Sequence, residues 1–270
     1  MKDRLRALIA PDADEHAGRW TAREYLQHYV LYLLFRTKHY RRMAFTGGTA
    51  LRALHGLPRF SEDLDFSLVD PEGQFDFSAL RADLLSGLSQ AGYAAKDRPK
   101  ETGAVVNTFL KFPGLLHELG LSAQPREVLS VKVEIDTNPP AGAATELVLV
   151  NKHHMMYQTL SHDLPSMFAG KLHALLFRRF TKGRDLYDLL WFLTAHSELA
   201  PNLSLLNNAA AQTEAAPPKF DAANWREHLL RRLGGTDVEK AREEIRPFLE
   251  RPEEADFIEL DNFARLLARS

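Results

Sequence analysis

The residues best placed for chemistry begin with a pair of glycines, Gly47 and Gly48. They stand between Phe45-Thr46 and a segment from Thr49 to Leu54 whose apolar residues have helical spacing. Backbone N–H groups of such a turn, together with the positive end of the following helix, can approach a phosphate closely because no side chain intervenes. The turn predicts a binding site for a triphosphate, with three candidate nucleotide-binding residues: Gly47, Gly48 and Thr49.

Two aspartates follow the glycines after one short helix. Asp65 belongs to an alternating segment, Leu64 to Leu68, and Asp63 directly precedes it, which predicts a half-buried strand that projects both carboxylates from one face. Carboxylate oxygens are hard ligands, so the pair predicts a Mg²⁺ site, with Mn²⁺ as the alternative metal. Arg59 and Ser61 add anion-binding groups beside the aspartates and are further candidate nucleotide-binding residues.

The whole block from Gly47 to Phe66, GGTALRALHGLPRFSEDLDF, resembles a known motif. It is similar to the signature of the AbiEii/AbiGii nucleotidyltransferase toxins, including the MenT group, within the DNA polymerase beta-like superfamily. The resemblance assigns Gly48 to triphosphate binding, and Asp63 and Asp65 to magnesium. It also implies a nucleotidyltransferase fold.

A third metal-binding carboxylate is implied by the superfamily, usually from a neighbouring strand. The segment from Val131 to Asp136 alternates apolar and polar residues, which places Lys132, Glu134 and Asp136 on one face of a strand. Glu134 is preferred because it is central in that strand, whereas Asp136 precedes Asn138-Pro139 and could belong to a turn. Either acid could complete the metal site and help deprotonate an attacking hydroxyl.

A second block, from Phe168 to Leu189, is similar to the lysine and arginine-aspartate motifs of the same toxin family. The ammonium of Lys171 suits the β- and γ-phosphates of a nucleotide, and the resemblance names this lysine as a nucleotide contact. Asp185 is preferred over Asp188 as the acidic catalytic residue, although an acid at the start of a helix is often only a cap. Five basic residues and no acid lie between Lys171 and Arg184, which is a local patch compatible with RNA.

The composition excludes several other classes of protein. The 270 residues carry 34 basic and 36 acidic side chains, so a global positive field for nucleic acid is absent. The lack of cysteine excludes disulfides, thiolate zinc sites and cysteine nucleophiles, and fits a reducing compartment. No apolar run approaches the ~20 residues of a membrane span, and no signal peptide is recognisable, so a cytoplasmic protein is expected.

The eleven histidines and the serines do not predict a hydrolase. No His-Glu-x-x-His motif is present, and the adjacent side chains of His153 and His154 should diverge on a strand or a helix, so a zinc site is not expected. A Gly-x-Ser-x-Gly motif is also absent.

Hydrophobic periodicity predicts an α/β (α+β) fold. A nucleotidyltransferase-fold lobe with a mixed sheet is expected over residues 1–160, and a helical lobe over 161–270, which contributes Lys171 and Asp185 to a cleft that holds the nucleotide. The predicted helices include Thr21 to His39, capped by Thr21, Phe77 to Ala91, Asp185 to His196, and two or three over Trp225 to Ala268. Strands are predicted over Val105 to Phe112 and Leu129 to Asp136, and a linker over Pro201 to Lys219.

The resemblance implies a Mg²⁺-dependent toxin of a toxin–antitoxin or abortive-infection system that defends against phage. Such an enzyme transfers a nucleoside monophosphate from a nucleoside triphosphate to RNA, with the tRNA 3′ end as the leading acceptor, and so blocks translation. The implied partner is a cognate antitoxin that acts without touching the toxin. The alternatives are transfer to a small molecule or protein hydroxyl, and a non-catalytic nucleotide-binding module.

Overall fold

The computed structural model describes residues 1–9 and 14–268, which contain two compact units. The first unit comprises Met1–Ala50, Glu62–Asn138 and Leu147–Ser161, and the second comprises Leu51–Ser61, Pro139–Glu146 and His162–Ser270. The division into a nucleotidyltransferase lobe over 1–160 and a helical lobe over 161–270 stays a prediction. No helix in the described ranges is long and apolar enough to cross a membrane.

A seven-stranded mixed sheet confirms the predicted α/β class. Its strand order is β3-β4-β5-β2-β1-β7-β6. The central strand β2 runs antiparallel to β1 and parallel to β5, while β1 runs parallel to β7. The strands are β1 (Met43–Thr46), β2 (Asp63–Leu68), β3 (Lys96–Lys100), β4 (Val105–Pro113), β5 (Val128–Asp136), β6 (Thr145–Lys152) and β7 (Met155–His162).

Period-two alternation gives β2 and β5 one apolar face and one polar face. Leu64, Phe66, Val133 and Ile135 are buried, whereas the intervening side chains are only partly covered. The helices that begin in the first unit are α1 (Lys2–Leu8), α2 (Glu15–Arg36), α3 (Gly47–His55), α4 (Phe77–Gln90) and α5 (Leu115–Glu118), and a 3-10 helix spans His39–Arg41. Helix α2 packs against α4 and β5, which covers the apolar side of this part of the sheet.

Helix α2 begins and ends at different residues from those predicted. The carboxylate of Asp14 accepts a hydrogen bond of 2.7 Å from the N–H of Ala17 and caps the helix. Thr21, the predicted cap, lies inside the helix and donates its hydroxyl to the carbonyl of Ala17 at 3.0 Å. The helix ends at Arg36 because Lys38 adopts a left-handed conformation, with φ of 65°.

The described part of the chain after His162 is helical, as predicted for the C-terminal lobe. Its helices are α6 (Leu164–Phe177), α7 (Gly183–Ala195), α8 (Leu203–Thr213), α9 (Trp225–Leu233), α10 (Val238–Ile245) and α11 (Leu260–Ala268), with 3-10 helices over Arg246–Phe248 and Pro252–Phe257. The predicted linker over Pro201 to Lys219 is wrong, because α8 occupies much of it. Asn202 caps α8, and Leu205 and Leu206 are buried as the helix packs on α6.

Candidate active site

The two predicted metal-binding aspartates lie on the polar face of β2, within the first unit. Asp63 and Asp65 occupy alternate positions of that strand, so their side chains leave the sheet on the same side. Asp65 is paired with Thr46 of β1 and with Glu134 of β5. Hydrogen bonding to strands on both sides fixes the backbone of Asp65.

The Gly-Gly turn lies directly against Asp65. Gly47 is the first residue of α3 and has a φ of +79°, a left-handed conformation that favours glycine. A Cβ atom at position 47 would lie 3.1 Å from both Cβ and Cγ of Asp65 and closer still to its Oδ2. The backbone at Gly47 and the carboxylate of Asp65 are therefore in close approach, at the positive end of a helix.

Gly48 and Thr49 continue the first turn of α3. The hydroxyl of Thr49 is buried and donates a hydrogen bond to the backbone carbonyl of Asp63, which ties the helix to the aspartate strand. Three of the predicted nucleotide-binding residues and both predicted metal ligands are thus brought together by β1, α3 and β2.

Glu134 lies beside Asp65 because β5 pairs with β2 in parallel register. Its carboxylate forms an ion pair with the ammonium of Lys132, two residues earlier on the same face. Burial opposes the charged form of Lys132, but the hydrogen bond that it donates to Glu134 and the charges of Glu134, Asp63 and Asp65 raise the pKa of this lysine above its ordinary value. Asp63, Asp65 and Glu134 share one face of the sheet, called the acidic face below. Lys132 was not predicted as a site residue, although the alternation of β5 places it on this face.

Asp136, the alternative third carboxylate, is engaged in a turn. Its Oδ1 accepts a hydrogen bond of 2.9 Å from the N–H of Asn138. Burial raises the pKa of the Asp136 carboxyl despite this hydrogen bond. Both features disfavour Asp136 as a metal ligand and favour Glu134 as the better candidate.

The acidic face fits a divalent cation by its chemistry. Hard oxygen ligands project from neighbouring positions of β2 and β5, and a lysine already provides positive charge among them. Within residues 1–9 and 14–268, however, Asp63, Asp65 and Glu134 do not form a set of three ligand atoms all within 4.8 Å of one another.

The second block forms a charge cluster within the second unit. Lys171 Nζ of α6 lies 2.6 Å from Asp188 Oδ2 and 3.4 Å from Asp185 Oδ1, both on α7. Asp185 also pairs with Arg178. The acid closer to Lys171 is therefore Asp188, whereas the sequence favoured Asp185 as the site residue.

Arg59 completes this cluster. Its guanidinium is 2% exposed and makes two hydrogen bonds to Asp188, of 2.6 and 2.7 Å. Burial raises the pKa of the Asp188 carboxyl, but the positive charges of Arg59 and Lys171 outweigh that effect and hold it below its usual range. For Arg59 to bind a nucleotide, this buried pair would have to open, and its nucleotide-binding role stays a prediction, as does that of Ser61.

The remaining basic residues of the predicted patch have different surroundings. The guanidinium of Arg184 stacks over Phe248 at 4.6 Å, and that of Arg179 over the exposed ring of Phe180 at 5.1 Å. Lys182 is the N-cap residue of α7. Arg184 thus stacks on an aromatic ring, whereas the carboxylate of Asp185 pairs with Arg178 and Lys171.

Solved structures confirm the fold. The chain is similar to JHP933 from Helicobacter pylori, with a TM-score of 0.56 and 19% identity over 93% of this chain and 92% of that one. It is also similar to a candidate nucleotidyltransferase from H. pylori, with a TM-score of 0.53 and 21% identity over 92% of this chain and 93% of that one. No curated protein matches the chain.

The family is shown by a sequence model that covers most of the chain. The model that describes the nucleotidyl transferase AbiEii toxin of type IV toxin–antitoxin systems matches residues 30–268. That range includes the Gly-Gly turn, both aspartates of β2, Glu134 and the charge cluster around Lys171. The chain therefore belongs to the AbiEii nucleotidyltransferase toxin family.

Proposed function

We propose that this nucleotidyltransferase uses Mg²⁺ to transfer a nucleoside monophosphate from a nucleoside triphosphate to RNA, with the tRNA 3′ end as acceptor, and so blocks translation. The observation that carries the proposal is the position of Asp63 and Asp65 on one face of β2, with Asp65 against Gly47 at the start of α3. Metal-binding oxygens thus lie beside backbone N–H groups suited to phosphate.

The reaction is an exchange of one P–O bond for another. The oxygen of an acceptor hydroxyl attacks the α-phosphorus, and the bond to the bridging oxygen of the β-phosphate breaks as pyrophosphate leaves with the electron pair. Asp63, Asp65 and Glu134 would hold the Mg²⁺ ion, which when bound would neutralise charge at the phosphates. The N–H groups at Gly47 and Gly48 bind the triphosphate, and Glu134 accepts the hydroxyl proton.

Lys171 is proposed as a phosphate-binding residue, with Asp185 as the acid that positions it. The ammonium of Lys171, on α6, is a compact donor that forms ion pairs with Asp185 and Asp188 of α7. Replacement by methionine removes the charge while keeping most of the side-chain volume. Lys171→Met is expected to raise the KM for the nucleotide more than it lowers kcat.

The acceptor and the cellular role are inferred from the chemistry and the family. The basic segment from Lys171 to Arg184 supplies charge for an RNA backbone, and the exposed Phe180 ring could stack on a base. Membership of a type IV toxin family implies a cognate antitoxin, which we propose acts without binding the toxin. We also propose that the protein works in the cytoplasm, in defence against phage.

The proposal is tested by incubating the protein with Mg²⁺, total RNA and each α-labelled nucleoside triphosphate in turn. Label should enter a tRNA-sized band with the unaltered protein, and Asp65→Asn should lower the rate at least ~100-fold, equal to about 2.7 kcal/mol of activation free energy. Asp3→Asn is the matched control, because the Asp3 side chain is 96% exposed on α1. Circular dichroism should show all three proteins folded.

Each other outcome contradicts a defined part of the proposal. If pyrophosphate is released and the label enters a protein or a small hydroxyl compound but not RNA, the acceptor is not RNA and that part of the proposal is wrong. Full activity of Asp65→Asn would show that the carboxylate of Asp65 on β2 is not needed for the reaction. Nucleotide binding without any pyrophosphate release would show a non-catalytic module.

A further inference from the structure

Three side chains in the first unit form a group that the proposed reaction does not use. Glu24 and His28 lie one turn apart on the same side of α2. His153 comes from the two-residue turn between β6 and β7. One ligand atom from each of the three lies within 4.8 Å of the other two. His28 is buried and the other two are partly buried, so the three donor atoms converge at a place with little solvent exposure.

The backbone of the β6–β7 turn is unusual for its sequence. His153 and His154 both have positive φ, of 49° and 60°, where asparagine or glycine is the common choice for a two-residue hairpin. The left-handed turn directs His153 toward α2, which sequence reasoning did not anticipate. Backbone conformations that are uncommon for non-glycine residues cluster at functional sites, which makes this turn a candidate for ligand binding.

The imidazole of His153 has an unused nitrogen. Its Nε2 is buried and makes no hydrogen bond in the described part of the chain. A buried nitrogen without a hydrogen bond is costly in a folded protein, and a metal ion would satisfy it.

His28 is already held in a way that suits a metal ligand. Its Nδ1 lies 2.7 Å from the hydroxyl of Tyr157 on β7. A tyrosine hydroxyl can accept the N–H of Nδ1. In that tautomer Nε2 carries the lone pair that a metal ion requires, and outer partners of metal-binding histidines commonly hold the ring in this way.

We propose that Glu24, His28 and His153 bind a Zn²⁺ ion that joins α2 to the β6–β7 turn. Two imidazole nitrogens and one carboxylate oxygen match the donors that zinc prefers over the all-oxygen set of Mg²⁺. Glu24 also lies 3.7 Å from Lys152 Nζ, but that lysine is half exposed and can turn to solvent. The site shares no residue with the acidic face of β2, and it does not depend on the proposed transfer reaction.

The test compares two histidines in one turn. Untagged, metal-free protein is titrated with Zn²⁺ against a chromophoric chelator, as the unaltered chain, His153→Asn and His154→Asn. Asparagine tolerates the left-handed conformation, so both variants should fold, which circular dichroism checks. One equivalent should bind to the unaltered chain and to His154→Asn, whereas His153→Asn should bind at least ~100-fold more weakly. Zn²⁺ should raise the Tm of the unaltered chain and of His154→Asn, but not that of His153→Asn.

Asp65→Asn separates this site from the catalytic metal. It should keep its full zinc affinity, because it alters only the acidic face of β2. The proposal is overturned if the unaltered chain binds no zinc, if His153→Asn binds as tightly as His154→Asn, or if Asp65→Asn abolishes the binding.

Discussion

Gly47→Ala should lower the rate of nucleotide transfer more than the stability of the fold, because the new methyl group would contact Asp65, the proposed catalytic carboxylate. The Cβ would stand 3.1 Å from Cβ and Cγ of Asp65, whereas ordinary contacts begin at 3.4 Å, and it would overlap Oδ2 further. Rotating the carboxylate cannot relieve the contact with the Asp65 Cβ atom. The backbone must give by about 0.3 Å at that contact, and Oδ2 must move further, by on the order of 1 Å, a displacement that can lower a rate ~100-fold.

The control for this prediction is Gly56→Ala. Gly56 has a φ of +75° and nothing within 4 Å of the place where its Cβ would stand, so it shares the backbone cost but not the clash. Each variant should lose roughly 1–2 kcal/mol of unfolding free energy from the left-handed alanine. Only Gly47→Ala should lose the ~100-fold in nucleotide transfer.

Two measurements decide the outcome. Urea unfolding gives the stability of both variants, and single-turnover transfer of an α-labelled nucleotide gives the rate. If Gly47→Ala keeps its rate, the Gly47 backbone does not position Asp65. If Gly56→Ala loses as much rate as Gly47→Ala, the loss reports the backbone strain and not the carboxylate.

Two further predictions concern buried and partly buried charges. Asp188→Asn should cost about 3–5 kcal/mol of unfolding free energy, because it leaves Arg59 and Lys171 with uncompensated charge. Since the pKa of Asp188 is lower in the folded state, its ionic stabilisation is present above the ordinary value of 3.8 and is lost as the pH falls through the folded pKa. Urea unfolding between pH 7 and pH 3 should therefore show a steeper loss for the unaltered chain than for Asp188→Asn, and equal slopes would contradict the argument. Lys132→Met removes a positive charge from the acidic face, so the Mg²⁺ concentration for half-maximal transfer should fall up to ~10-fold, or about 1.4 kcal/mol. An unchanged or higher Mg²⁺ requirement would show that Lys132 does not compete with the metal.

Local patterns predicted the strands at the centre of the sheet. β2, β4 and β5 alternate apolar and polar residues, and each was predicted to within one residue at either end. β1 was missed because it has only four residues before the Gly-Gly turn. β3 was missed because its sequence, Lys96 to Lys100, is charged and contains a proline. The hairpin of β6 and β7 was missed because its turn contains histidines in place of the usual glycine or asparagine.

The candidate site was predictable where neighbours in sequence create it. Asp63 and Asp65 share a strand, so period-two alternation was enough to place them on one face. The pairing of Arg59 with Asp188 joins residues 129 positions apart, and local patterns carry no information on such a contact. The group of Glu24, His28 and His153 depends on a turn conformation that the sequence gives no reason to expect.

The strand order of the sheet also determines when, during synthesis of the chain, the sheet that carries the proposed catalytic residues can be completed. Phe45 of β1 pairs with Ser161 of β7, and Asp65 of β2 pairs with Glu134 of β5, so the central strands wait for partners made much later. The aspartates leave the ribosome long before β5, which flanks β2, and before β7, which flanks β1, and such distant pairings form slowly. A nascent or truncated chain that ends before β5 holds the proposed metal-binding aspartates on an incomplete sheet. We therefore expect the enzyme to become active only after more than half of the chain has been translated.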